Sequence, residues 1–254
     1  RPATDAAMRA IDYDDLRIKL SEAETENLQA MSRQHRLTLN TIVQGAWALL
    51  LSRYSGEDDI VFGTTFSGRP LDLPGAETMI GLFINLLPVP TKVNAEDFLI
   101  PWLGKLQDLL VEMQKYQFSP LIRIQEWSEA PRRQPLFEFI LGFENSPVVN
   151  RGRGRYQDNP LLGLRTIERT NYPLSIKAFP GVELGFEILY ECRQFDRETI
   201  AGLLHHMRTL LAAMASNPDQ RLGDISILSS AERHQLLAQW NDTRADYPPG
   251  ESVV

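Results

Sequence analysis

The adjacent pair His205–His206 is the first place in this sequence to look for chemistry, because imidazole exchanges protons near neutrality and ligates metals. Both lie in a segment, Arg197 to Ala215, where Ile200, Leu203, Leu204, Met207, Leu211 and Met214 recur at helical spacing. At about 100° per residue, the centre of that apolar stripe falls almost opposite His205, with His206 on its flank. A solvent-facing pair is therefore expected, and no second cluster of histidines or carboxylates stands at ligand spacing to it. His35 follows a helix end and His234 sits in a short terminal helix, where structural or exposed roles are expected. The single cysteine, Cys192, follows a strand-like run and reads as an unreactive thiol. Gly-x-Ser-x-Gly, Walker and Gly-x-Gly-x-x-Gly patterns do not occur. What remains is a polar loop, Ser67-Gly68-Arg69, and one amide, Asn85, inside the apolar run MIGLFINLLPVP from Met79 to Pro90. A buried Asn must find hydrogen-bond partners or cost about 1–3 kcal/mol. It either ties the neighbouring loop to a strand or faces a polar-lined channel, and both readings stay open at this point.

The elements that position these residues are legible from periodicity. DLRIKL (15–20) alternates as a strand. SEAE (21–24) forms a capping box that starts a helix running to about Arg36. From Leu39, apolar residues at Ile42, Val43, Ala46, Trp47, Leu50 and Tyr54 predict a second, broadly apolar helix. SGEDD (55–59) stops it, and IVFGTTF (60–66) is β-branched and aromatic, as strands are. The loop 67–78, with Gly68, Pro70, Pro74 and Gly75, is not regular structure. A strand is expected from Phe83 to Val89, then an amphipathic helix marked by Leu99, Leu103, Leu106, Leu110 and Met113. Four further strand candidates follow: FEFILGFEN (137–145), LGLRTIER (162–169), LSIKAF (174–179) and ELGFEILYE (183–191). After the histidine-bearing helix, SSAE (229–232) caps a short helix ending near Trp240, and the tail NDTRADYPPGESVV has linker composition. Strands and helices, partly alternating and partly grouped, predict a mixed sheet covered by helices.

Composition narrows the function classes. The chain has 254 residues, 43% of them hydrophobic and 23% charged, enough to bury a core. Its net charge of −7 argues against nucleic-acid binding, since RGRGR (151–155) is the one basic run and lacks the strand–turn–helix setting of a phosphate loop. One cysteine rules out an internal disulfide and fits a reducing, cytoplasmic setting. No apolar run reaches the roughly 20 residues of a membrane span. The N-terminus, without a start methionine or a signal-peptide pattern, reads as cut from something longer.

Six segments, in order, carry a resemblance. GAWALLLSRYSGEDDIVFGTTFSGRP followed by MIGLFINLLPV resembles the C-terminal half of a nonribosomal peptide synthetase condensation domain. So do YQFSPLIRIQEWSEAPRRQPLFEFILGFENSPV (116–148), ERTNYPLSI (168–176), LLHHMRTLLAAM and LSSAERHQLLAQWNDTRADYP, the last resembling the join to a downstream adenylation domain. The resemblance implies an α/β fold: a chloramphenicol-acetyltransferase-like lobe with a mixed, largely antiparallel-leaning sheet covered by helices. Residues 1–15 would be an inter-lobe linker, 16–228 the lobe, and 229–254 a linker towards the adenylation domain.

The implied partners are the N-terminal lobe, peptidyl or acyl carrier proteins and the adenylation domain, with no nucleic acid and no membrane. No cofactor would be bound directly, nor any metal; the substrates would arrive on the phosphopantetheine arms of the carrier proteins. The implied reaction is amide formation in a tunnel between two lobes. Epimerisation, cyclisation or non-catalytic recruitment of carrier proteins or tailoring enzymes are the alternatives. Ser67, Gly68 and Arg69 would form a loop reaching towards the partner lobe and flooring the tunnel. Gly81 would allow close approach of the backbone, with Phe83 and Asn85 near the tunnel and Asn171 to Leu174, Pro173 among them, in the strand region beside the lobe interface. Two departures stand out. The family's catalytic motif, two histidines, three variable residues, Asp and Gly, has no match here, because His205–His206 is followed by Met207 to Leu211 without either. No catalytic residue is therefore expected in this chain. Leu86 and Pro90 also stand where the family commonly has Thr and Arg.

Overall fold

The computed structural model describes residues 12–69, 74–76, 78–131, 134–144 and 170–242. Six strands form one sheet in the order β1-β6-β5-β4-β2-β3. They are β1 (Tyr13–Lys19), β2 (Asp59–Phe66), β3 (Asn85–Lys92), β4 (Phe139–Phe143), β5 (Leu174–Phe179) and β6 (Gly185–Glu191). The β1–β6, β5–β6 and β2–β3 pairs are antiparallel, and the β2–β4 and β4–β5 pairs are parallel. The sheet is thus mixed and leans antiparallel, as expected.

The helices are α1 (Glu22–His35), α2 (Leu39–Ser55), α3 (Leu99–Met113), α4 (Leu121–Trp127), α5 (Arg197–Ser216) and α6 (Ser230–His234). The capping box at Ser21 and Glu24 forms as the sequence predicts, and so does the second one at Ser229 and Glu232. Helix α2 is buried from Thr41 to Leu50, so its apolar character goes all the way round: it is the central helix, packed on β2 and between α1, α3 and α5. Phe62, Val89, Leu141, Ile176, Ala178, Phe186 and Ile188 form the sheet's contribution to the core beneath these helices. Alternation puts Thr65, Lys177, Glu187 and Arg17 on the opposite face. There Gly63 makes room for a ring, since a Cβ would overlap Phe137, which stacks on Tyr172 with centroids 5.5 Å apart.

Sheet edges are blunted by composition. The outer strand β3 carries Pro88 and Pro90, two residues apart and paired with Gly63 and Val61 of β2. Proline has no N–H to give a ladder, so both occupy positions whose backbone nitrogen points to the free edge. Pro90 is exposed there, and a strand with two missing donors is a poor template for edge-to-edge pairing. The other edge strand, β1, carries Asp14, Asp15, Arg17 and Lys19.

The main differences from the sequence reading are one strand start and one helix. The strand expected from Phe83 starts only at Asn85, because the backbone from Ile80 to Ile84 is irregular and largely exposed. A short helix, α4, occupies 121–127, where no periodic pattern signals it: it begins after Pro120 and spans only two turns. The strand expected at 162–169, the basic run at 151–155 and the tail beyond 242 lie outside the described residues.

Candidate functional site

The loop that leaves β2 is organised by one cation. The Arg69 guanidinium lies over the Phe83 ring, 4.3 Å from its centroid. Its Nη1 also donates to the carbonyls of Ala76 and Met79, the latter at 3.1 Å. Arg69 therefore gathers three points of the loop around itself. Gly68 makes the approach possible: its φ of +60° is left-handed, and a Cβ there would overlap the Phe83 carbonyl oxygen. Ser67 stands at the exposed start of the turn, its Oγ 3.5 Å from the Arg69 amide nitrogen. At Gly81, which is exposed, an added Cβ would meet the edge of the Phe83 ring at 3.2 Å, so its near neighbour is a side chain.

Asn85 has definite partners. Its Nδ2 donates to the carbonyls of Gln117 and Ser119, both at 2.8 Å. The first residue of β3 thereby grips the turn that follows α3. The tie to a neighbouring loop, one of the two readings open from sequence, is present in the structure. The loop tied is the one after α3, rather than the Arg69 loop that precedes β3 in sequence.

The loop leading into Asn85 carries an apolar platform. Ile80 and Leu82 are essentially fully exposed, at 103% and 94%, and Ile84 is 66% exposed. Tyr116 and Phe118, beside the turn held by Asn85, are also exposed, as are Ile122 and Trp127 of α4. A globular chain seldom leaves so many large apolar side chains uncovered along one stretch unless something packs there. Asn171 and Pro173 lie elsewhere, at the start of β5 beside the Phe137–Tyr172 stack. The structure thus brings Ser67, Gly68, Arg69, Gly81 and Phe83 into one loop and hangs Asn85 at its end, with Asn171 and Pro173 two strands away across β4.

The histidine pair corrects the surface reading in part. His205 is half-exposed, but the His206 side chain is only 15% exposed. Its Nδ1 lies 2.7 Å from the Tyr54 hydroxyl and its Nε2 lies 3.2 Å from Glu232 Oε1. The partners come from 152 and 26 residues away, so no local spacing reveals them. A hydroxyl, an imidazole and a carboxylate in a row resemble a nucleophile relay. The Tyr54 hydroxyl, however, is pushed up from its ordinary value by burial and by the charge of Glu232, which is the wrong direction for an activated nucleophile. Cys192 is also moved up, by desolvation and then by the carboxylates of Asp12 and Asp14, as an unreactive thiol should be. Among the described residues no group of three or more His, Cys, Asp or Glu gathers as metal ligands, and no helix is long and apolar enough to cross a membrane.

Comparison with known proteins gives the family. The model of the family described as "Condensation domain" matches residues 2–237. The chain is 49% identical over 238 residues to a linear gramicidin synthase protein of Brevibacillus parabrevis, covering 94% of this chain and 5% of that protein. Among solved structures, the X-domain from teicoplanin biosynthesis superposes with a TM-score of 0.73 at 23% identity, over 85% of this chain and 50% of that one. The first condensation domain of the CDA synthetase gives 0.68 at 13% identity, over 89% and 50%. The chain therefore spans about half of each solved domain and a small fraction of its curated relative. These likenesses in structure show the fold, and the match along nearly the whole sequence shows the kinship: the chain belongs to the condensation-domain family of nonribosomal peptide synthetases.

Proposed function

We propose that this chain is the C-terminal, acceptor-side half of a condensation domain that joins carrier-protein-tethered aminoacyl and peptidyl thioesters into an amide. The observation that carries the proposal is the uncovered apolar platform around Ile80, Leu82 and Ile84, in a chain that spans about half of the solved domains it matches. A lobe separated from its partner has such a surface, and the platform lies next to the loop organised by Arg69 and Phe83. In this reading Ser67, Gly68, Arg69, Gly81, Phe83 and Asn85 border the tunnel at the lobe junction, and Asn171 and Pro173 flank it on the β5 side.

The chemistry divides accordingly. A base in the other lobe would position or deprotonate the attacking amine, because this sequence has no His-His followed by Asp-Gly at the family's spacing. The amine attacks the donor thioester carbonyl, and collapse of the tetrahedral intermediate forms the amide and releases the thiol of the phosphopantetheine arm. What the present residues contribute is shape. The Arg69–Phe83 stack and the Asn85 amide keep the loop and the turn after α3 in fixed positions, which is how binding energy is converted into orientation.

The test compares this chain alone with the same chain continuous with its upstream half, using aminoacyl- and peptidyl-loaded carrier proteins and mass spectrometry of the carrier-bound product. The longer protein is expected to form dipeptide and the 254-residue chain none. Product from the chain alone would overturn the division of labour. A longer protein that binds loaded carriers without turning them over would show a recruitment module instead.

A further inference from the structure

We propose that Glu232 is a clasp that holds a C-terminal arm, Ser230 to Asp242, against the body of the domain, so that the arm releases as a unit when the clasp opens. The body ends in packed residues, with Leu222 and Ile225 buried and Ile227 packed against the core. A tight turn follows, in which Ser226 Oγ bonds to both the amide and the carbonyl of Leu228 at 3.1 Å. From Ser230 to Asp242 every residue is exposed except Glu232.

The same carboxylate does two things. Its Oε2 accepts from the backbone amide and hydroxyl of Ser229, at 2.8 and 2.7 Å, and so caps the N-terminus of α6. Its Oε1 lies 3.2 Å from His206 Nε2, and its Oε2 lies 3.6 Å from His205 Nε2, both on α5. His206 is oriented in turn by the Tyr54 hydroxyl of α2, with which its ring is also in contact, centroids 5.8 Å apart. With Tyr54 donating to Nδ1, the other nitrogen carries the proton and points it at Glu232. One carboxylate thus serves both the dock and one half of the capping box, the other half being the Ser229 Oγ that accepts from the Glu232 amide at 3.3 Å.

Beyond the clasp the arm is held together by its own bonds. A wider, π-helical turn continues α6 from Gln235 to Gln239, and the Trp240 amide donates to the Gln235 carbonyl at 3.0 Å. Asn241 Nδ2 then donates to the Leu236 carbonyl at 2.7 Å. The arm is structured internally, its polar bonds to the body among the described residues are those of Glu232 to α5, and it displays Leu237 and Trp240, 63% and 67% exposed. Elements with few apolar contacts and exposed backbone bonds open at low free energy. This inference concerns Glu232 and α5 only and stands whether or not the chain forms amides.

Hydrogen exchange of the 254-residue chain tests it. His206→Ala removes the shorter docking contact while leaving the Ser229–Glu232 box intact; Glu232→Ala removes both docking contacts and the carboxylate half of the box. Amides from Arg233 to Asn241 are expected to exchange about three- to ten-fold faster in each variant, as for the net loss of one partly solvated hydrogen bond, with α2 and α5 unchanged. The double variant should add little to the faster single one, because both changes open the same clasp. Unchanged exchange in the arm, or acceleration spread equally over Arg197–Ser216, would overturn the proposal. So would fully additive effects in the double variant.

Discussion

At the scale of single residues, Asn85 is the amide whose purpose the sequence left open, and its two 2.8 Å bonds decide the structural half of that question. Asn85→Ala leaves the Gln117 and Ser119 carbonyls without their donor and frees the turn after α3. A loss of about 1–3 kcal/mol is expected in urea unfolding of the chain. A midpoint indistinguishable from the parent would mean that the tie does not hold the turn. Pro90, where the resemblance leads one to expect Arg, also has a physical reading. It stands exposed on the free edge of β3, where an absent N–H costs no ladder bond and discourages pairing with another strand.

At the scale of elements, carboxylates at helix N-termini hold the helical layer together. Glu24 closes the capping box of α1 with Ser21 and also receives two bonds from Arg208 of α5, at 2.8 and 3.1 Å. Arg208 first, and then Ser21, hold its carboxyl at about 2, below the ordinary 4.5, against the opposing effect of burial. Glu232 is held at about 2 mainly by Ser229, with His206 assisting. A carboxyl depressed in the folded state binds its proton more readily in the unfolded chain. Its stabilisation is therefore complete above about pH 4.5 and is lost as the pH falls towards 2. Urea midpoints should fall through that window, and Glu24→Gln should flatten the decline, because the amide does not titrate. An acid limb of equal slope in the variant would show that other groups govern it.

At the scale of the whole molecule, the sheet buries one face under α1, α2, α3 and α5, while the edge beyond β2 carries the apolar platform. Ile80 and Leu82 make almost no packing contribution at their exposures, so replacing both by Ser should leave the unfolding free energy within about 0.5 kcal/mol of the parent. The parent chain is expected to self-associate in sedimentation through this platform, and the double variant less so. If stability dropped instead, the two side chains would be part of the folded core in solution. If association were unchanged, the platform would not be the adhesive surface.

The elements of this protein follow from local physics. The Ser21 and Ser229 capping boxes, the apolar period of α2 and α5, and the β-branched run of β2 each act within a few residues, so each is readable along the chain. The motif order from the Ser-Gly-Arg loop to the SSAE box carried the family as well. Tertiary structure decided what the polar residues do. Asn85 meets carbonyls 32 and 34 positions away, and His206 meets Tyr54 at 152 and Glu232 at 26. Those distances along the chain are set by how helices pack on the sheet, and side-chain periodicity in one element carries no information about which partner the next element delivers.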